Sequence, residues 1–383
     1  MPLTASEKLF TGRFFTMWAF SFTVFLSVFA LLPTAPFHIK DLGGSTLQAG
    51  LFLGLLTISS AMFAPLTGAI GDRVGHRKVL LIASVVIALI TVAYAFLQSV
   101  TAILALAFVH GFFWSGMLSA SSAYLLSIIP KARRAEGLGY AGLASIFALA
   151  VAPTVGFQLY RKGWFELAMA CIALNIAMFV LATFLGSQKN AGPHPPLALR
   201  NIVEPRIIAL AGTLFLYSFG YGGLTSFSAL YADAAGVTPR GIYLTTLAIA
   251  ILLARPTLGR LGDRYGYKRV FLPCLGLVAL SLAMLATTPG RTGMIVSALT
   301  FGVGFGLAYP AFAAYVMEHV DDSRRGAAFG TMIAAFDTGI GTGSTTMGWL
   351  IQERGYATAF SVAALLAACA APYFLAVDRR LKT

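Results

Sequence analysis

Long uninterrupted apolar stretches recur along the whole chain, each near or above the ~20 residues that cross a hydrocarbon core about 30 Å thick. No other feature constrains the fold as much. Twelve can be drawn, at 14–37, 49–70, 78–98, 101–125, 138–160, 164–186, 206–232, 241–261, 269–288, 292–317, 327–350 and 355–377. They are far longer than the alternating ~10-residue strands of an outer-membrane barrel. A backbone in lipid must satisfy its polar groups internally, so the expected fold is an all-α membrane protein. Composition agrees, with 58% hydrophobic and 11% charged residues against about 25% charged in a soluble domain. Cys171, Cys274 and Cys369 lie inside apolar runs without CxxC spacing, which excludes a disulfide framework and a thiolate metal site. The first stretch follows MPLTASEKLFTGRFF without an A-x-A cleavage site and is expected to be retained as a helix.

Basic residues set the orientation, because cytoplasmic loops accumulate Lys and Arg. One side of the twelve-span drawing holds 21 of the 27 basic residues, leaving Lys40, Arg161, Lys162, Arg240, Arg291 and Arg354 for the other. Both termini are therefore expected in the cytoplasm, with the protein in the plasma (inner) membrane. The net charge of +13 sits in short loops between spans rather than on one face, so membrane anchoring explains it and nucleic acid is not an expected partner.

Sliding the chain against itself reveals a repeat at an offset of 191 residues: Pro65, Gly68, Asp72, Arg73, Gly75, Gly111, Tyr124 and Arg133 recur as Pro256, Gly259, Asp263, Arg264, Gly266, Gly302, Tyr315 and Arg324. Matched Asp, Arg and Pro in so charge-poor a chain mark a duplication of the parallel-repeat kind. The expected organisation is a six-helix half at 1–186, a Pro- and Gly-bearing cytoplasmic linker at 187–205 and a second six-helix half at 206–383.

The loop after the second span reads GAIGDRVGHRK, carrying Gly68, Asp72, Arg73, Gly75, Arg77 and Lys78; its copy is GRLGDRYGYKR with Asp263 and Arg264. Gly68 and Gly71 would allow a neighbouring helix to approach, Gly75 suits a positive-φ turn, and Asp72 sits where a helix N-terminus or an Arg favours a carboxylate. With these residues the chain resembles the major facilitator superfamily, in its drug- and metabolite-exporting branches, over essentially its whole length. The resemblance implies twelve transmembrane helices in two pseudo-symmetric halves. It also implies that Asp72 docks on the opposite half at the start of the eleventh helix and stabilises an outward-facing state. Ala152, Pro153 and Gly156 in the fifth span resemble the antiporter motif of exporters in part, and equally suit a proline kink at Pro153 and Gly156. The Arg that many proton-coupled members place four residues before the Gly of the fourth helix is absent; Ala107 stands there.

A charge at the bilayer centre costs about 2.5 to 3.5 kcal/mol on insertion scales, so each asks for a function. Asp337, deep in the eleventh span within AAFDTGIGTGSTTMG, is the first candidate for proton coupling; acceptance of hydrogen bonds in a polar seam with Thr338 and Thr342 is the alternative. His110 in the fourth span is the second, against simple satisfied packing. Asp41, Glu166 and Asp233 fall near outer helix ends, as caps or external gate contacts. Arg255 is expected to snorkel to the inner surface as an anchor.

In the superfamily the first, fourth, seventh and tenth helices face a central cavity, and the resemblance carries that role to Phe25, Phe29, Trp114, Tyr217, Tyr221, Phe305 and Tyr309, besides Phe22 and His110. Helical spacing puts each set on one face, and ordinary lipid-facing aromatics are the alternative. Glycine alternations such as Gly302, Gly304 and Gly306 lie in apolar stretches with no preceding strand, and no G-x-x-x-x-G-K-[ST] sequence exists, so nucleotide binding is not indicated. The expected function is secondary active transport, without enzymatic activity, cofactor or metal: a monomer exporting a small amphipathic compound or metabolite in exchange for protons. A proton-coupled importer is the nearest alternative, and a non-transporting receptor or scaffold a remote one.

Overall fold

The computed structural model describes residues 8–130, 133–186, 205–258, 261–320 and 325–382; the 187–204 part of the expected linker lies outside them. No strand occurs among the described residues. The helices are α1 (Gly12–Leu31), α2 (Ala35–Asp41), α3 (Thr46–Val74), α4 (His76–Phe96), α5 (Val100–Ile128), α6 (Arg134–Tyr160), α7 (Trp164–Thr183), α8 (Pro205–Ala234), α9 (Ile242–Leu258), α10 (Leu261–Tyr265), α11 (Tyr267–Thr287), α12 (Arg291–Glu318) and α13 (Arg325–Lys382). Among the described residues ten helical stretches are long and apolar enough to cross a membrane; the last, Ala328–Arg380, is broken in two, and the apolar part of α9 is shorter.

Local sequence fixes the helix ends. Thr11 accepts from the Phe14 amide at 3.2 Å. Ser45 and Gln48 form a reciprocal capping box at the start of α3, satisfying two amides that no helical carbonyl can reach. The duplicated loop turns at Gly75 and again at Gly266, with φ of 97° and 88°, a conformation that side chains with a Cβ resist. The eleventh and twelfth expected spans are the two arms of α13, joined at Gly355 with φ 82° and ψ 174°. The short helices α2 and α10 have no counterpart among the expected spans.

Leu89, Leu253 and Leu365 are each more than 60% exposed. Scattered leucines exposed to this degree on long apolar helices suit a surface bathed in acyl chains. The buried core runs through the bundle instead, with Phe52, Phe227, Phe271 and Phe301 fully covered. In the first half α1 packs on α6 and α7, and α5 on α3 and α4; in the second, α8 packs on α13 and α12 on α9 and α11. Among the described residues the two main contacts between the halves are α3 against the first arm of α13, and α6 against α9, with smaller ones from α2 and α3 to α8. The alternating helices put both described chain ends on one face, here the terminus face; the α1–α3 connection lies on the far face.

Candidate functional site

On the far face the halves meet closely. A Cβ on Gly50 or Gly54 would collide with Ser344 or Thr345, and one on Gly348 would stand 2.8 Å from the Thr46 carbonyl oxygen. Small residues of this kind let backbones approach where apolar lipid gives no drive for association. The Ser344 hydroxyl donates to the Gly50 carbonyl at 2.8 Å, and the Leu47 amide donates to Gln352 at 3.2 Å. Across the second contact the hydroxyls of Thr154 and Thr245 bond at 3.1 Å, and Gly241 lies against Pro153. Gly156 sits against Ala30 of α1, where a Cβ would come 2.9 Å from its carbonyl oxygen, so this Pro153-bearing segment of α6 serves close packing on two sides. Above these seams Arg240 stands over the Phe37 ring at 4.9 Å and pairs with Asp233 at 2.7 Å. Phe37 contacts Phe157, and Tyr160 donates to Asp41.

On the terminus face the halves part around a cavity of about 590 Å³ between α6 and α9–α12. Its walls are largely apolar and small, including Gly139, Leu143, Gly306 and Ala311. Among the described residues two charged side chains reach it, Glu136 and Arg255. The carboxylate of Glu136 is held by Arg133 through two hydrogen bonds of 2.8 and 2.7 Å. Arg255, expected as a lipid-surface anchor, instead turns into the bundle: its Nε donates to the Gly306 carbonyl at 3.4 Å. The reason is helix rotation. The outward face of α9 carries Leu253, 64% exposed, and a position two residues further is about 200° around the helix, on the inner side.

Asp337 lies in the α3–α13 contact, on its terminus side. Ser60 donates to it at 3.0 Å, and the neighbouring Phe336 ring stands 5.3 Å from that of Tyr309. One turn further, a Cβ on Gly341 would stand 2.6 Å from the Thr57 hydroxyl. Thr338 and Thr342 turn their hydroxyls back onto helix carbonyls, those of Ala334 and Thr338. Asp337 therefore depends on the other half for its hydroxyl donor. Sequence reasoning missed Ser60, because a serine in an apolar span is cheap and common.

The aromatics expected at a central cavity fall into two groups, and none of them lines the terminus-face cavity. Phe25 contacts both Phe29, at 5.6 Å, and Trp114, at 5.8 Å. Tyr221 stacks on Phe305 at 4.4 Å, and Tyr217 does so at 4.8 Å. Tyr217 is wholly buried with its hydroxyl donated to the Phe305 carbonyl at 2.7 Å, so it ties α8 to α12; the others are partly exposed. His110 is 2% exposed beside a small space shared with Ser27, Thr91, Trp114 and Asn175, and its Nδ1 is buried with no partner among the described residues. The Asn175 amide donates to Thr91 at 2.9 Å; neither residue stands out in the sequence.

In the duplicated loop Asp72 faces His76 at 3.7 Å and is about half exposed. The space beside Gly68 is open, so the close approach expected there is not made in this state, whereas Gly71 lies against His76. Arg73 is exposed, and Arg77 donates to the Thr183 carbonyl at 2.7 Å. Arg264 lies over Tyr265 at 5.3 Å. The side chain of Asp263 and residues 321–324, at the start of the eleventh span, are outside the description.

A family model described as Major Facilitator Superfamily matches residues 17–254 and 210–383. The chain belongs to this superfamily. It is similar to the Multi-drug resistance efflux pump PmrA homolog of Lactococcus lactis, 26% identical with 76% of each chain covered. It is similar also to the Staphylopine export protein of Staphylococcus aureus, 24% identical over 92% of this chain and 91% of that one. Its fold is that of the nucleoside transporter NupG, with a TM-score of 0.80 at 15% identity for one variant, covering 96% of this chain and 100% of the other. The human organic anion transporter MFSD10 gives 0.74 at 15% identity, covering 95% and 100%. This superfamily member is thus a multi-pass membrane transporter with efflux-pump relatives, and not an enzyme.

Proposed function

We propose that this protein is a monomeric, proton-coupled exporter of a small amphipathic compound, working by alternating access in the plasma membrane with both termini in the cytoplasm. The observation that carries the reading is the pairing of Asp337 with Ser60 across the contact that closes the far face. On this reading the state described is inward-facing, with a cavity of about 590 Å³ open to the cytoplasm. When the α3–α13 contact parts, the carboxyl of Asp337 meets water from outside and takes up a proton. Burying the neutral acid then costs less than burying the carboxylate, so protonation favours closure of the far face. Release of that proton into the cytoplasm, as substrate enters from the same side, restores the charge and readies the return. The energetics suffice: one proton moving down 100 mV releases about 2.3 kcal/mol, enough for roughly a fifty-fold gradient of a neutral solute.

The test uses proteoliposomes with an internal pH dye. Wild-type protein should move protons when an amphipathic compound is added against the gradient, and Asp337→Asn should abolish that movement while leaving downhill exchange of the compound. An Asn variant that moves protons at the wild-type ratio makes Asp337 a structural residue and removes the coupling part of the reading.

A further inference from the structure

Among the described residues Arg255 is a cation without a counter-ion. Four described ion pairs exist, and none includes it. Its Nε uses the Gly306 carbonyl at 3.4 Å, and this is its one described hydrogen bond. Its Nη1 reaches across the cavity toward the first half, 3.4 Å from the point a Cβ on Gly142 would take. The other acid-base pair at the cavity is already internally neutral, because Arg133 grips Glu136 with two hydrogen bonds. Among the described lining residues one uncompensated positive charge therefore faces about 590 Å³ of mostly apolar space.

The duplication gives this feature a reference point. Pro65 and Pro256 match, so the register is secure there, and the position before Pro65 that answers to Arg255 is Ala64. The helix therefore folds and packs in its other copy without a cation at this place. Arg255 lies in the last turn of α9, where a charge costs less than the ~2.5 to 3.5 kcal/mol of a span centre, but a half-buried charge turned into the bundle is still ordinarily paired. Here the space opposite the guanidinium is a cavity rather than an acid. Guanidinium presents a planar set of donors that matches a carboxylate, sulfonate or phosphate through paired hydrogen bonds.

We propose that the cavity takes an amphipathic organic anion, with its acid group on the Nη atoms of Arg255 and its apolar body on the small and aliphatic wall formed by Leu143, Leu307 and Ala311. The inference rests on the transporter reading above and names its substrate class. It departs from the expectation that Arg255 snorkels to the inner surface as an anchor, since the side chain lines the cavity instead.

Three probes share one body and differ in charge: 2-naphthoate, 2-naphthalenemethanol and 2-naphthylmethylammonium. Their binding to full-length protein in nanodiscs is measured by calorimetry. Wild type should bind naphthoate at least tenfold more tightly than the ammonium compound. Arg255→Gln should lower naphthoate affinity tenfold or more and leave that of naphthalenemethanol unchanged, which also reports that the variant is folded. Arg255→Lys should retain an intermediate affinity, keeping the charge but losing the fork.

Naphthoate affinity untouched by Arg255→Gln, or a wild type that prefers the ammonium compound or binds none of the three, overturns the proposal. The same probes in energised inside-out vesicles separate it from the export reading. Gradient-driven uptake of the ammonium compound alone keeps export and sinks the anion; Arg255-dependent naphthoate binding without gradient-driven uptake does the reverse.

Discussion

The two seams that join the halves are copies of one another. Shifting by 191 residues carries Gly50 to Gly241 and Pro153 to Ser344, and the contacts Gly50 with Ser344 and Gly241 with Pro153 both occur. One turn on, Gly54 against Thr345 answers to Thr245 against Thr154. The correspondence fails at the third step. Ser60 and Asp337 answer to Ile251 and Ile146, both buried and apolar. Duplication thus produced two closing contacts of one design, and one of them holds an ionisable group where the other holds two isoleucines. On the proposed reading, a single coupling group on one seam makes closure of the far face sensitive to protons.

The largest effect should come from erasing that difference. Asp337→Ile makes the first seam resemble the second, and pH-gradient-driven accumulation in vesicles should disappear while the protein still inserts. Adding Ile146→Asp with Ile251→Ser to that variant tests whether either seam can serve; any recovered proton movement shows that the chemistry matters more than the side of the molecule. Complete accumulation in Asp337→Ile alone would mean that the seams differ for reasons of packing.

A wedge comes next. Overpacking a close contact costs typically 1 to 3 kcal/mol, so Gly54→Val should reduce the far-face-closed population about five- to a hundredfold. Spin-label distances between positions 47 and 352 would report it as a longer, broader distribution. An unchanged distribution would show that the close approach of Gly54 is not what holds the seam. The smallest effect belongs to Thr154→Ala on the second seam, where one hydroxyl pair is lost and about 1 kcal/mol with it. The same labels should shift slightly, and transport should fall by no more than about fivefold.

Much of the architecture is legible in the sequence because lipid leaves a backbone few choices. The spans, the duplicated loop and its glycine turns follow from apolar length and matched charges. Asp337 stands out for the same reason: an acid is conspicuous among apolar residues. Its partner Ser60 is not conspicuous, and neither are Thr91 and Asn175 near His110, because a single polar atom that bonds its neighbour leaves no mark on hydropathy. Arg255 was legible as a cation but not as a cavity residue. Its depth can be counted from the helix end, whereas its direction depends on how α9 is rotated against α6 and α12, which no periodicity in a nearly all-apolar helix records. Gly68 shows a further limit: the sequence indicates a surface for close approach, and only the conformation determines when that surface is occupied.

The break at Gly355 has a mechanical consequence. Like α3 and α4 at Gly75, the two arms of α13 share one elbow a single residue wide. The arm that carries Asp337 cannot slide along its axis without hauling the second arm with it. A twist begun at the carboxyl is therefore delivered as a tilt of the pair, with the elbow as fulcrum and the last helical residue, Lys382, as the far tip of the lever.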